Sequence, residues 1–141
     1  MSLFEIIKHI NDIADQQPNI NTIVRSGNIF DLNSLGDVEY GAFCITQQPH
    51  IDNNGWRSYN FYLFVVDRLL ADKSNKIQIQ SASIEALENI ISTLRGDDEL
   101  EVSENITFHT FTQRFSSECA GAYCLISIST PIITDCSEDY E

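Results

Sequence analysis

The sequence predicts an α+β fold, an antiparallel β-sheet with two long hairpins and two α-helices packed on one face. Three observations predict it. Residues 2–15 carry an apolar stripe of helical period, residues 75–94 carry a second, and four alternating apolar runs fall into two pairs, 38–46 with 56–68 and 105–115 with 122–130. Two helices are too few to cover both faces of a parallel sheet, which leaves hairpin-linked strands with helices on one side.

The first helix opens at Ser2. With Glu5 three residues on, the Ser2 hydroxyl can accept the amide of the third helical residue while the Glu5 carboxylate reaches back to the Ser2 amide, a capping box. Leu3, Ile6, Ile7, Ile10, Ile13 and Ala14 form one stripe, with Glu5, Lys8, Asn11, Asp12 and Asp15 on the opposite face, and Pro18 ends the helix. Residues 19–25 predict a short strand. Ser26-Gly27-Asn28 signals a turn before a second short apolar run over residues 29–32, so a hairpin or bend is expected here.

Over residues 38–46 the chain alternates, Val38, Tyr40, Ala42 and Cys44 against Glu39, Gly41, Phe43 and Ile45. Both sides are apolar, which predicts an interior strand covered on two faces. Residues 47–55 are polar and hold Pro49 and Asn53-Asn54-Gly55, the composition of an exposed hairpin loop projecting from the body. Residues 56–68 form the return strand. Trp56, Ser58, Asn60, Tyr62, Phe64 and Val66 share one face and Arg57, Tyr59, Phe61, Leu63 and Val65 the other, a run well beyond the usual length of about five or six residues.

After the break at residues 72–75, Ile77, Ile84, Leu87, Ile91 and Leu94 share a helical face that Gly96 closes, although the alternation of residues 76–80 leaves the helix start open. Residues 97–103 read as an acidic connector. The second hairpin then runs over residues 105–115, bends at 116–121 and returns over 122–130, ended by Pro131. The expected organisation is a single α+β domain over residues 1–133 and an exposed acidic C-terminal tail over 134–141.

Charge bounds the function classes. The chain of 141 residues has a formal net charge of -13 with eight Lys and Arg, which argues against tight nucleic-acid binding, since that is driven by basic side chains displacing counterions. Beyond Gly96, ten carboxylates face one base, Arg114, giving -10 + 1 = -9. No apolar run approaches the ~20 residues of a membrane span, and the first residues contain Glu5, Asp12 and Asp15 in place of a basic, then apolar, signal. The expectation is a soluble, uncleaved, cytosolic product.

No chemistry-bearing pattern emerges. Cys44, Cys119, Cys124 and Cys136 contain no C-x-x-C pair, so they read as small buried hydrophobes rather than zinc ligands. His9, His50 and His109 have no partner at a useful spacing, and the six glycines stand singly at turn positions instead of forming a phosphate loop. No catalytic residue, cofactor or metal is expected. Trp56, Tyr59, Phe61, Tyr62 and Phe64 would suit a base-stacking platform, but basic interleaving is missing, so core and subunit interface is the favoured role.

The segments Tyr59-Asn-Phe-Tyr-Leu-Phe-Val-Val-Asp-Arg-Leu69, Asp72-Lys-Ser-Asn75 and Ile84-Glu-Ala-Leu-Glu-Asn-Ile-Ile91, with the order of elements, resemble small neck and tail ring proteins of tailed bacteriophages. The chain is most similar to ring components of crAss-like phages, and its element order is similar to the tail terminator or tail completion group. The resemblance covers most of residues 2–131. It implies a structural virion protein, not an enzyme, forming a homo-oligomeric ring of six or twelve copies. Such a ring joins portal or adaptor to neighbouring tail ring proteins and lines the channel through which DNA leaves the head, without binding it specifically. An acidic lumen would then repel the phosphate backbone, with Asp97, Asp98, Glu99 and Glu101 as channel-lining candidates. A closed ring repeats one asymmetric contact. Gln47, Gln48, His50, Trp56, Tyr59 and Arg68 are the subunit-interface candidates, with the tail second. The alternative is a small acidic binding module, an inhibitor or DNA mimic acting on a basic host protein.

Overall fold

The computed structural model describes residues 2–33, 40–114 and 117–131. Its architecture is α+β: a mostly antiparallel six-stranded sheet with two α-helices. Strand β1 (Thr22–Val24) is followed by β2 (Ala42–Asn53), β3 (Trp56–Arg68), β4 (Glu101–Val102), β5 (Phe108–Arg114) and β6 (Glu118–Pro131), with helix α1 (Leu3–Asp15) before β1 and α2 (Lys76–Arg95) between β3 and β4. The order across the sheet is β1-β2-β3-β6-β4, and β5 pairs with another stretch of β6. Both long hairpins are present, joined through β3 and β6, which pair from Trp56 opposite Pro131 to Arg68 opposite Cys119.

Helix α1 begins as its sequence requires. The Glu5 amide donates to Ser2 Oγ at 3.2 Å and the Ser2 amide donates to Glu5 Oε1 at 2.8 Å, completing the capping box. Ile6, Ile10, Ile13 and Ala14 are buried against the sheet and α2, each isoleucine contributing about 1.5–3 kcal/mol of transfer free energy. Asn11, expected on the wet face, is buried instead, because α1 packs against both α2 and the sheet and so covers more than the apolar stripe. Its Oδ1 has no hydrogen-bond partner among the described residues.

Alternation along β3 sorts its side chains. Tyr59, Phe61, Leu63 and Val65 face the helices with Phe43, Ile45, Cys124, Ile126 and Ile128 to form the main core with Leu87, Ile90, Ile91 and Leu94 of α2. The opposite face is covered at one end by a 3₁₀ turn, Ile29–Asn33, whose Ile29 and Leu32 pack on Ala42, Cys44, Val66 and Cys119. Ala42 to Ile45 is thus buried on both sides, as alternation predicted for the described part of that strand; Val38 and Glu39 lie outside the described residues.

Four local expectations are corrected. Residues 29–32 form the 3₁₀ turn in place of a second short strand, and β1 runs parallel to β2, so of the expected hairpin or bend it is the bend, at residues 25–27, that forms. Four apolar residues in a row fit either state when a buried patch needs covering. Residues 47–53 continue β2 rather than looping out, and the hairpin closes on two residues, Asn54 and Gly55, with φ of 47° and 88°. Pro49 is accommodated where the register shifts between Gln48 and Ile51. The acidic connector contains strand β4, paired with β6. Finally, Gly121 is inside β6 rather than in the bend: a Cβ there would stand 2.0 Å from the Val65 carbonyl oxygen, so only glycine lets the neighbouring backbone approach. Ser116 of that bend, Phe115 at the end of the expected strand before it, and the tail over 134–141 lie outside the described residues. No helix among the described residues is long and apolar enough to cross a membrane.

Candidate interaction site at the hairpin tip

Two sets of residues that sequence reasoning treats separately meet at one end of the sheet. Trp56 starts β3 directly after the Asn54-Gly55 turn and pairs with Pro131 at the end of β6, while β4 brings Glu101 opposite Ser129 on the same strand. As a result Trp56, Asp98, Glu99, Leu100, Glu101, Ser129 and Pro131 line one groove of about 400 Å³. Trp56 is 46% exposed, and the carboxylates of Asp98, Glu99 and Glu101 are exposed without an ion pair among the described residues.

The loop carrying these carboxylates is held from several sides. Leu100 is buried in the main core, Asp97 Oδ2 lies 3.3 Å from His9 Nε2 of α1, and Asp97 accepts the Glu99 amide at 2.9 Å. Arg95, at the end of α2, donates to the carbonyls of Ser103 at 2.6 Å and Glu104 at 3.0 Å, and the Ser103 amide donates to the Ser127 carbonyl at 2.9 Å. Asp97 therefore serves the scaffold, and the other three acids present charge beside an indole. An aromatic face next to carboxylates attracts a Lys or Arg side chain through cation–π and charge-assisted hydrogen bonds.

The remaining interface candidates are dispersed. Gln47 is exposed and accepts from His50 Nε2 at 3.0 Å; Gln48 is half-buried. His50 also accepts the Asn60 amide through Nδ1 at 3.2 Å and packs on the rings of Tyr59 and Phe61, so it repairs the ladder where Pro49 breaks it. Tyr59 is 5% exposed and belongs to the core of the single chain. Arg68 stands at the far end of β3, its guanidinium 5.2 Å from the centre of the Tyr40 ring. At the tip itself, Arg57 donates to both Asp52 oxygens at 2.5 and 3.3 Å across the hairpin, which holds the Asp52 carboxyl below the usual aspartate range.

Two further features escape sequence reasoning. On the face away from the helices, Tyr123 gathers His109, stacked at 5.0 Å, with Tyr62, Phe64 and Phe111 at 5.3 to 5.8 Å. Parity along β3 foretells the position of Tyr62 and Phe64, but their meeting with Tyr123 needs the β3 to β6 register. At the end opposite the Trp56 groove, Lys73, Lys76 and Arg114 line a second depression of about 320 Å³ with Glu118. These bases come from the β3–α2 loop, the start of α2 and the end of β5, a convergence that no local pattern signals. No group of His, Cys, Asp and Glu suited to a metal ion occurs among the described residues. The chain matches no protein-family model and no curated protein.

Proposed function

We propose that this protein is a structural component of a tailed-phage neck or tail, assembling as a ring of six or twelve copies that joins portal or adaptor to the neighbouring tail ring and lines the DNA exit channel. The observation that carries the proposal is the segment from Tyr59 to Ile91, whose likeness to phage ring proteins stands beside an α+β fold of the class that likeness implies. Inward-facing acidic residues would keep DNA from adhering, because a wall of carboxylates repels the phosphate backbone. In this reading the chain performs no catalysis and takes no cofactor, and its place is the virion. Purified particles test it: the protein should be found by mass spectrometry at a fixed stoichiometric ratio to portal, and electron microscopy should show it between head and tail. Its absence from infectious particles would overturn the proposal.

A second reading is favoured by the Trp56 groove, whose indole and acids, without an ion pair among the described residues, suit a basic side chain. The protein would then be an acidic module that binds a basic host protein. Pull-down from host lysate should recover a stoichiometric basic partner that is released as salt rises, and an empty pull-down would dismiss it.

A further inference from the structure

We infer that the two ends of the sheet are the two halves of one contact, so that the Trp56 groove of each copy receives the Lys73, Lys76 and Arg114 end of the next. The inference rests on the ring proposal and supplies the surfaces by which one copy meets another; it assigns Asp98, Glu99 and Glu101 to the contact between copies in place of the channel wall, which other acidic residues would line. Strand β3 runs between the two ends, from Trp56 to Arg68, and its thirteen residues separate them by about 40 Å.

The charges at the two ends are opposite. The groove at the hairpin tip presents Asp98, Glu99 and Glu101, -3, with no base among its lining residues. The other depression presents Lys73, Lys76 and Arg114 against Glu118, +3 - 1 = +2. Adding the flanking Arg68, Asp67 and Asp72 gives +2 + 1 - 2 = +1, still positive in a chain whose net charge is -13. Lys73 Nζ and Arg114 lie 3.6 and 3.9 Å from Glu118, whereas Lys76 has no carboxylate within ion-pair distance among the described residues. Unpaired cation at one end thus matches unpaired carboxylates and an open indole at the other. Because donor and acceptor surfaces differ and point in opposite directions along the strands, the contact is head-to-tail, which propagates from copy to copy and closes into a ring when the rotation per step allows.

Other acidic or basic proteins also fit one end each, but a second copy fits both at once, and charge exchange separates the cases. One variant carries Asp98→Lys, Glu99→Lys and Glu101→Lys; the other carries Lys73→Glu, Lys76→Glu and Arg114→Glu. Circular dichroism confirms that each folds, and Lys76→Glu alone serves if reversal beside Glu118 unsettles the β5–β6 hairpin. In sedimentation velocity the wild-type chain should associate beyond its 16.0 kDa monomer as concentration rises, and each variant should associate about tenfold or more weakly. An equimolar mixture of the two variants should associate again, because each then offers the ends the other lacks. Trp56 is the sole tryptophan, so its emission should shift to the blue as association proceeds. A wild-type chain that is monomeric up to millimolar concentration, variants that associate like wild type, or a mixture that stays dissociated would each overturn the contact. The ring proposal is judged separately, on particle composition: a virion protein whose self-association ignores these charges defeats the contact alone, and charge-steered association of a protein absent from particles defeats the ring proposal.

Discussion

Asn11 shows how far one side chain can depart from the pattern around it. It is 6% exposed and its Oδ1 lacks a partner among the described residues, so the fold carries the desolvation of an amide without a compensating bond. Replacing it by leucine, which has the same branching and number of heavy atoms, should raise the urea midpoint or leave it unchanged, while Asn11→Asp should lower stability by about 2 kcal/mol or more. The buried thiols make a different point. Burial pushes Cys44 and Cys119 up to about 11 and Cys124 up to about 12 from an ordinary 9.0. Well below pH 9 the thiols stay protonated in both states. As pH rises from there toward 11 the unfolded chain loses protons that the folded chain keeps, so stability should fall with pH over this window. Urea melts at pH 7, 9 and 10 check the direction, and at pH 8 a thiol reagent should label these three residues rapidly only once the chain is unfolded.

The hairpin of β2 and β3 carries its own repair at the Pro49 irregularity. His50 accepts the Asn60 amide, and Asn60 Nδ2 donates to the Pro49 carbonyl at 2.8 Å, so two groups freed by the register shift regain partners. His50→Ala should therefore cost about 1–2 kcal/mol of stability, read from chemical denaturation, with little change in the m-value. This strand also shows what was legible. The limits of β3 follow from thirteen alternating residues, with buried apolar side chains on one face and the half-buried Tyr62 and Phe64 on the other. The outer half of β2 reads as a loop because it reaches past β1, which pairs only with Ala42 to Cys44, and its polar residues match that wet, half-paired setting. Trp56 and the acids of residues 98–101 were each visible in the sequence; their common groove was not, since it depends on β6 holding both β3 and β4.

At the scale of the molecule, the formal charge of -13 conceals a division along the strands, acidic at the tip and basic at the opposite end. Composition reveals the sum but not the separation, because Arg114 meets Lys73 and Lys76 only once the β5–β6 hairpin has docked beside α2. The helices lie on one face, and the other is covered only in part by the 3₁₀ turn, leaving the rings around Tyr123 half-buried.

The position of β6 has a consequence in time. It comes last in the chain among the described strands, yet it lies at the centre of the sheet, bonded to β3 on one side and to β4 and β5 on the other. A growing chain can close the β2–β3 hairpin early, but the second edge of β3 then waits, unpaired, for residues 118–131 to leave the ribosome. Until then, Tyr59 to Val66 is an uncharged, β-prone ribbon with an open edge, a template for the same segment on a neighbouring polysome. Chains stalled before residue 118 should remain protease-sensitive and aggregate on release, whereas chains extended past residue 131 by a linker long enough to clear the exit tunnel should become resistant in one step. Synthesis would then set the moment at which the protein becomes safe at high local concentration, since the strand that protects the rest is the one that arrives after it.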